Sequence, residues 1–339
     1  MSIQSSLDRF QSKKWGIFYH FLGGQDAEAW NHRVDKVNVD LWAEQLAELG
    51  CGFMGITIMQ CFRTMLAPND TYNRITGFKP GEACANRDFI MDLSNALRKY
   101  DIDLMLYYTG DGPCRDSDNI TNLAFGYTTH HFDTETKRWV YRIEPKYIPE
   151  SFVDKWTEVL GEYSERYGDR VFAWWVDGCY KYMYSDDDTR ERYLKKFADA
   201  ARTGNPDALI TFNNGYWGGT HGQKGTDFEV NDPYTSSKYD NFTPGEEDSL
   251  FKPPVSRYVD GVQWFAFYCN SFWWPHEYRE PDAKDRSLLS HTRFTADEIY
   301  DHVKKVNDGG GIVMFDVSFV NDERIEPRIY EALSKLKNL

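Results

Sequence analysis

The chain has 339 residues, a net charge of −14, and aromatic side chains at 16% of its positions. A net negative charge of this size argues against nucleic-acid binding, because such binders need basic side chains to displace counterions from phosphates. Aromatic rings beyond the needs of a core offer flat surfaces for sugar rings, so the composition favours a neutral, hydroxyl-rich ligand. The length fits two average domains or one large α/β barrel.

Cysteine spacing and hydropathy limit the classes further. No CxxC pair occurs, which predicts buried free thiols rather than a disulfide framework or a zinc site, for Cys51, Cys61, Cys84, Cys114, Cys179 and Cys269. No apolar run approaches the ~20 residues of a membrane span, and the opening "MSIQSSLDRFQSKK" has no hydrophobic signal core. We expect a soluble, cytoplasmic protein, with periplasmic location after removal of a leader as the alternative.

Short apolar strands alternate with longer amphipathic segments, a pattern typical of a parallel sheet crossed by helices. Strands are predicted at 15–21, 52–59, 102–109, 171–177, 208–214, 227–230, 261–267 and 311–317. Helices are predicted at 39–50, 87–100, 149–168, 187–204, 295–310 and 328–339, the fifth opening on a Thr295–Glu298 capping box. Long irregular segments follow strands at 60–86, 110–148 and 215–260. Because the loops after strands build the active site of a parallel barrel, we expect one (β/α)8 TIM-like barrel domain over residues 1–339.

Polar side chains lie at or near the ends of most predicted strands. They are His20, Gln60, Tyr107, Tyr108, Asp177, Asn213, Asn214, Gln263 and Asp316. In a barrel these residues would converge on one pocket. A single strand-end histidine is more often structural, but several amides, phenols and an acid together have no packing rationale and favour a ligand site.

Asp177 is the most informative of these residues. It ends the apolar run "VFAWWV", follows Trp174 and Trp175, and precedes Gly178, which permits close approach of a ligand to the backbone. A carboxylate beside indole rings in a concave site is typical of a glycosidase nucleophile, which works with a second carboxyl group as acid/base. A helix N-cap or an acid paired with arginine is the alternative interpretation.

Several segments resemble glycoside hydrolase family 29, the α-L-fucosidases. "WGIFYH" resembles the family's first strand, and "LWAEQLAELGCGFMGIT" resembles the helix and second strand that follow. "NRDFIMDLSNALRKYDIDLMLYYT" resembles its Arg-Asp helix and third strand, and "YGDRVFAWWVDG" resembles its fourth strand. "VNDGGGIVMFDVSFVNDERI" resembles its Gly-Gly strand and closing turn, so the likeness covers most of residues 13 to 336. The resemblance implies exo-acting, retaining hydrolysis of α-L-fucosides or related deoxysugar glycosides in oligosaccharides or glycoconjugates, without cofactor or metal.

The resemblance also implies roles for individual residues. Asp177, between Trp175 and Gly178, matches the nucleophile of a Trp-x-Asp-Gly motif. Further matches imply contacts to the sugar. Gln60 stands at a family histidine position, and Asn214 stands where the family often has an arginine. The residues implied to bind the sugar are His20, Trp30, Gln60, Tyr108, Trp175, Asn214 and Trp264. Trp264, with Trp273 or Trp274, would supply an apolar platform for a deoxysugar methyl group or an aglycone, and packing as ordinary core aromatics is the alternative.

The acid/base belongs to a loop after strand five in this family. "DNFTPGEED" resembles its acid/base run with one glycine inserted, which favours Glu246, with Glu247 as the fallback. Asp232 and Glu229, in the competing segment "DFEVND", are the second choice.

The chain departs from the family in two respects. "MQCFRTM" places Met59, Gln60 and Cys61 where a Lys-His-His-Asp-Gly run is usual, and the usual C-terminal β-sandwich has no counterpart in the sequence. We therefore expect a divergent member whose sugar differs from plain fucose or is bound differently. A carbohydrate-binding pseudoenzyme is the main alternative, and a metal-assisted hydrolase on the same barrel is a weaker one.

Overall fold

The computed structural model describes residues 2–213, 228–231, 256–259, 262–269 and 295–339, with the backbone alone at 228–231, 259 and 269. The strands are β1 (Trp15–Tyr19), β2 (Phe53–Thr57), β3 (Asp103–Thr109), β4 (Thr128–Asp133), β5 (Arg138–Glu144), β6 (Val171–Asp177), β7 (Leu209–Phe212), β8 (Phe228–Asn231), β9 (Tyr258–Val259), β10 (Val262–Cys269), β11 (Ile312–Asp316), β12 (Phe319–Val320) and β13 (Arg324–Ile325). The α-helices are α1 (Ile3–Ser12), α2 (Ala27–Lys36), α3 (Val39–Glu48), α4 (Asp70–Thr76), α5 (Phe89–Arg98), α6 (Ile120–Phe125), α7 (Glu150–Tyr167), α8 (Asp187–Ala201), α9 (Ala296–Asp308) and α10 (Pro327–Leu333).

One large parallel sheet organises these elements. Its strands follow the order β7-β6-β3-β2-β1-β11-β10-β8, and the short β9 pairs antiparallel with β10. β1 lies between β2 and β11, so the first and last parallel strands of the chain are neighbours. This arrangement is consistent with a TIM-like barrel. β7 and β8, at the two ends of the path, have Cα atoms within 8 Å of each other.

The strand and helix predictions agree with the structure where periodicity is strong. Each predicted strand overlaps an observed one, and all six predicted helices are present, including the capping box at Thr295. The expectation that 60–86 and 110–148 are irregular is wrong, because they contain α4, α6 and the β4–β5 hairpin. These elements are short or exposed, as in β5, and therefore carry little hydrophobic periodicity.

Side chains of the sheet pack on both of its faces. Successive residues of a strand point to opposite faces, so Phe18 packs in the interior cluster while Tyr19 packs against the helix layer. The Phe18 ring fits because Gly55 of the neighbouring strand has no side chain: a Cβ there would lie 2.5 Å from Phe18 Cδ2. The glycine therefore makes room for an aromatic ring at the centre of the sheet.

Helix α1 packs against the end of the sheet where the strands begin. Its Leu7 and Phe10 belong to the interior cluster, and the Phe10 ring lies 5.0 Å from that of Phe53. A cavity of about 350 Å³ at this end is lined by several charged side chains, including Arg9 and Asp103, which form an ion pair. In barrels of this type the N-terminal end of the strands serves stability, so a catalytic site is expected at the opposite end.

No helix in the described parts of the chain combines the length and the apolar character needed to cross a bilayer.

Candidate active site

Asp177 lies at the C-terminal end of β6 and is held on both carboxylate oxygens. The Tyr107 hydroxyl donates to Oδ2, and the Tyr180 hydroxyl donates to Oδ1 over 3.3 Å. The Asp177 carbonyl accepts from the Gly110 amide at 2.5 Å, which fixes the strand end against the loop after β3. The side chain is half-buried, so it is both oriented by the protein and accessible from the mouth of the sheet.

The two tyrosines at the end of β3 face opposite ways. Tyr107 pairs with Trp175 across the β3–β6 ladder, packs in the interior cluster and reaches Asp177. Tyr108 packs in the outer cluster, where its hydroxyl donates to the Trp156 carbonyl of α7 at 2.9 Å. The strand-end pattern therefore identified the right segment, and the residue that touches the candidate nucleophile is Tyr107.

An aromatic layer lies directly beneath Asp177. It consists of Phe18, Tyr107, Trp175 and Phe267, and the Trp175 ring lies 5.1, 5.2 and 5.0 Å from the other three. Trp175 Nε1 is buried and has no hydrogen-bond partner among the described residues. Since a buried unpaired donor costs about 1–3 kcal/mol, this N–H is a candidate donor to a ligand hydroxyl.

His20 follows β1 and lies against the same layer, with its ring 4.6 Å from that of Phe18. Its Nδ1 is 3.1 Å from Oδ1 of Asp316, the last residue of β11. Because a carboxylate only accepts, we assign the Nδ1 proton to this bond, which leaves Nε2 as an acceptor. Burial lowers the pKa of His20 to about 3, against an opposing effect of the Asp177 charge, so the imidazole is neutral at physiological pH.

A second carboxyl group, Asp111, lies beside the strand end of Asp177. A Cβ on Gly178 would lie 2.5 Å from Asp111 Oδ1, and Gly178 has a φ of +71°, a left-handed conformation that suits glycine. Burial, followed by the influence of Cys61 and Asp177, raises the pKa of Asp111 well above its usual range. Asp111 is therefore a carboxyl group with a raised pKa close to the candidate nucleophile.

Asp111 and Tyr180 are missing from the sequence-based set. Tyr180 lies three residues after Asp177, and Asp111 lies in the "TGDGP" turn after β3. Their positions just beyond strands are the only signal that could have indicated them, because their contacts depend on how the two loops pack.

The remaining predicted residues are not all near Asp177. Gln60 is half-buried in the loop after β2, at the C-terminal end of the sheet. Trp30 is buried in the outer cluster and its Nε1 donates to the Met65 carbonyl at 2.9 Å. Trp264 is also in the outer cluster, near the start of β10. Gln263 is at that same start, where it bonds Arg257 and Gly310, so it lies at the opposite end of the sheet from Asp177.

Several predicted residues lie outside the described part of the chain. These are Asn214, Asp232, Glu246, Glu247, Trp273 and Trp274, and Glu229 is described by its backbone in β8 alone. Within the described ranges, no group of three or more histidine, cysteine or acidic side chains is arranged to hold a metal ion.

The fold of the chain is similar to the folds of several solved proteins. No protein-family model matches the sequence, and no curated protein matches it. The α-L-fucosidase AlfC from Lactobacillus casei, solved with its α-L-fucose product, is similar with a TM-score of 0.61 and 16% identity, over 98% of this chain and 97% of that one. An endo-fucoidan hydrolase of glycoside hydrolase family 107 is similar with a TM-score of 0.64 and 15% identity, over 98% and 92% of the two chains. The chain thus has a fucosidase-like glycoside hydrolase fold.

The neutral His20 makes stability depend on pH. In the unfolded chain a histidine has a pKa near 6.5, so between that value and the folded pKa of about 3 the unfolded state binds more protons. The stabilisation is full above pH 6.5 and is lost as the pH falls. We expect His20 to reduce the free energy of unfolding by about 2 kcal/mol between pH 7 and pH 5.

Urea denaturation of the wild type and of His20→Gln at these two pH values measures this contribution. The pH-dependent difference should be about 2 kcal/mol smaller in the variant. Phe21→Leu is the control, because it disturbs a buried side chain without removing a titratable group, and it should keep the wild-type difference. An equally large difference in His20→Gln would contradict the assignment of a neutral, buried imidazole.

Proposed function

We propose that the protein is an exo-acting, retaining glycoside hydrolase that cleaves α-L-fucosides or glycosides of a related deoxysugar. The observation that carries this proposal is the Asp177 carboxylate, held by the hydroxyls of Tyr107 and Tyr180 above the aromatic layer. The structural likeness to an α-L-fucosidase and to an endo-fucoidan hydrolase supports the sugar class. We further propose a single catalytic domain over residues 1–339, whose barrel closes between β7 and β8, as the proximity of these strands supports.

The proposed reaction is a double displacement. An Asp177 oxygen attacks the anomeric carbon while the bond to the leaving oxygen breaks and an acid protonates that oxygen. Water then attacks the glycosyl–Asp177 ester, the acid/base accepts the water proton, and the carboxylate is released. Two phenol donors and a strand end that is bonded to Gly110 fix the attacking carboxylate in one orientation, which reduces the entropic cost of reaching the transition state.

The sugar is proposed to lie over the aromatic layer. The His20 imidazole, which follows β1, and the Gln60 amide, which follows β2, would bond hydroxyl groups of the sugar. The buried Trp175 N–H would supply a further donor. Trp30, Tyr108 and Trp264 are excluded from this set, because their buried side chains pack against the outer face of the sheet.

The acid/base is proposed to be Glu246, which the family resemblance favours. Asp111 is the competing candidate, because its carboxyl group has a raised pKa and lies beside the strand end that carries Asp177. The chemistry needs one ionised and one protonated carboxyl group, whose environments push their pKa values apart.

A carbohydrate-binding pseudoenzyme is the second candidate function. It is favoured by the segment after β2. By the family resemblance, Gln60 and Cys61 stand where two histidines hydrogen-bond the sugar, and the preceding Met59 is buried, with its sulfur accepting a 3.1 Å hydrogen bond from the Thr109 hydroxyl. Two imidazole contacts to the sugar are therefore missing.

Replacement of Asp177 tests the nucleophile. We expect Asp177→Ala to lower kcat by at least about 1,000-fold on the best substrate of an aryl glycoside panel of α-L-fucose, β-D-galactose and α-L-rhamnose. Sodium azide should restore part of the activity and give a glycosyl azide of inverted anomeric configuration, because a small anion fills the place of the carboxylate.

Wild-type turnover by Asp177→Ala on every cleaved substrate would reject the nucleophile. If the wild type cleaves no glycoside in the panel but still binds the free sugars, the pseudoenzyme is the correct assignment.

The adjacent tyrosines of β3 provide a matched pair of variants. Tyr107→Phe removes a donor to Asp177 and keeps the ring, so kcat should fall by about 10- to 100-fold with little change in thermal stability. Tyr108→Phe removes the hydroxyl that donates to the Trp156 carbonyl and should lower the free energy of unfolding by about 1 kcal/mol with kcat unchanged. Equal effects of the two variants on kcat would argue against the proposed site.

Leaving-group dependence separates the two acid candidates. Glu246→Gln should lower kcat/KM by about 100-fold or more on a phenyl glycoside and far less on a 2,4-dinitrophenyl glycoside, whose departure needs no proton. Asp111→Asn replaces the carboxyl group with an amide of nearly the same shape and should lower kcat/KM on both substrates by a similar, smaller factor. The reverse pattern would assign the acid to Asp111.

A further inference from the structure

Two cysteines face each other across the loops at the C-terminal end of the sheet. All five cysteines with described side chains are free thiols; four are buried, as the sequence predicts, and Cys61 is half-buried. Cys61 lies in the loop after β2, in the "MQCF" segment, and Cys114 lies in the loop after β3. The proposed hydrolysis uses neither thiol.

Backbone pairing brings these two residues into register. Phe62 and Arg115 form a parallel bridge, and the Arg115 amide donates to the Cys61 carbonyl at 2.6 Å. Cys61 and Cys114 are the residues immediately before the bridged pair, so they are opposite each other on two segments that run about 4.8 Å apart. That spacing lies within the range of about 4.4–6.8 Å over which Cα atoms are joined by disulfides.

The two thiol groups also influence each other. The neighbouring Cys114 thiol lowers the pKa of Cys61, with burial opposing it and the Arg115 charge assisting it. The Cys61 thiol, together with burial, in turn raises the pKa of Cys114. Burial raises the pKa of Cys51 and of Cys84 to about 12, so these two thiols are much less reactive.

Exposure and conformation distinguish the two partners. Cys61 is half-buried, whereas Cys114 is 1% exposed. Cys61 also has a φ of +60°, a left-handed conformation that is strained for a non-glycine residue. Such strain persists where the surroundings hold it in place, as the bond from Arg115 does at this position.

We propose that Cys61 and Cys114 form an oxidisable dithiol, in which a hydroperoxide oxidises Cys61 and Cys114 then converts the product into a disulfide. The Cys61 thiolate attacks a peroxide oxygen, the O–O bond breaks, and the released hydroxide takes a proton to give water and a sulfenic acid. The Cys114 sulfur then attacks the Cys61 sulfur, the S–O bond breaks, and hydroxide leaves with the Cys114 proton as water. The two sulfurs lose two electrons, which the peroxide accepts.

Peptide mapping of the full-length reduced protein tests this assignment. After an equimolar amount of hydrogen peroxide and blocking with N-ethylmaleimide, a non-reducing digest should contain a Cys61–Cys114 linked peptide that dithiothreitol separates. In the untreated protein, iodoacetamide should modify Cys61 more than about 10-fold faster than Cys84. The readout is independent of glycoside hydrolysis.

Serine variants assign the order of the steps. In Cys114→Ser, the sulfenic acid on Cys61 should persist and be trapped by dimedone, whereas in Cys61→Ser the Cys114 thiol should stay reduced. Cys84→Ser is the matched control and should form the link as the wild type does. The proposal is overturned if wild-type Cys61 is driven to the sulfinic acid while Cys114 is alkylated, or if neither residue is oxidised.

Discussion

The packing of aromatic rings inside the sheet determines where the polar groups of the site can lie. Trp175 contacts Phe18, Tyr107 and Phe267 at 5.0–5.2 Å, and the layer closes because Gly55 leaves room for the Phe18 ring. Residues two apart on a strand share a face, so the next inward position above this level carries His20 after Phe18 and Asp177 after Trp175. The apolar layer therefore both supports the carboxylate and keeps water away from beneath it.

The positions of the strands along the chain could be predicted from the sequence, but the direction of individual side chains could not. A strand buried on both faces is apolar throughout, so periodicity does not distinguish Tyr107 from Tyr108. The β3–β6 register, which pairs Tyr107 with Trp175, makes that distinction. The prediction that Gln263 lies at the end of its strand is also wrong. β10 continues to Cys269, so Gln263 and Trp264 lie near its beginning.

The charge states of the site are also set by contacts that no sequence pattern reveals. His20 and Asp316 are 296 residues apart in the chain and meet because β1 and β11 are neighbours. Burial, followed by the influence of Cys61 and Asp177, raises the pKa of Asp111, and its position beside Gly178 needs both the left-handed glycine and the fold of the loop after β3. The sequence indicates which residue types are available, and the tertiary packing decides which of them carry charge.

The segment after β2 explains how the site would differ from that of a typical α-L-fucosidase. By the family resemblance, the Gln60 amide and the Cys61 thiol stand there in place of two imidazoles, and amides do not titrate. The described histidine nearest the aromatic layer, His20, is already neutral because burial lowers its pKa to about 3. Neither Gln60 nor His20 changes its charge between pH 5 and pH 8, so a change in rate over that interval originates in the carboxyl pair or in Cys61, whose pKa the Cys114 thiol lowers. Comparing the pH profiles of the wild type and Cys61→Ser separates the two sources, and the part that remains in the variant reports on the carboxyl pair, whose acid/base the strand pattern identifies least well.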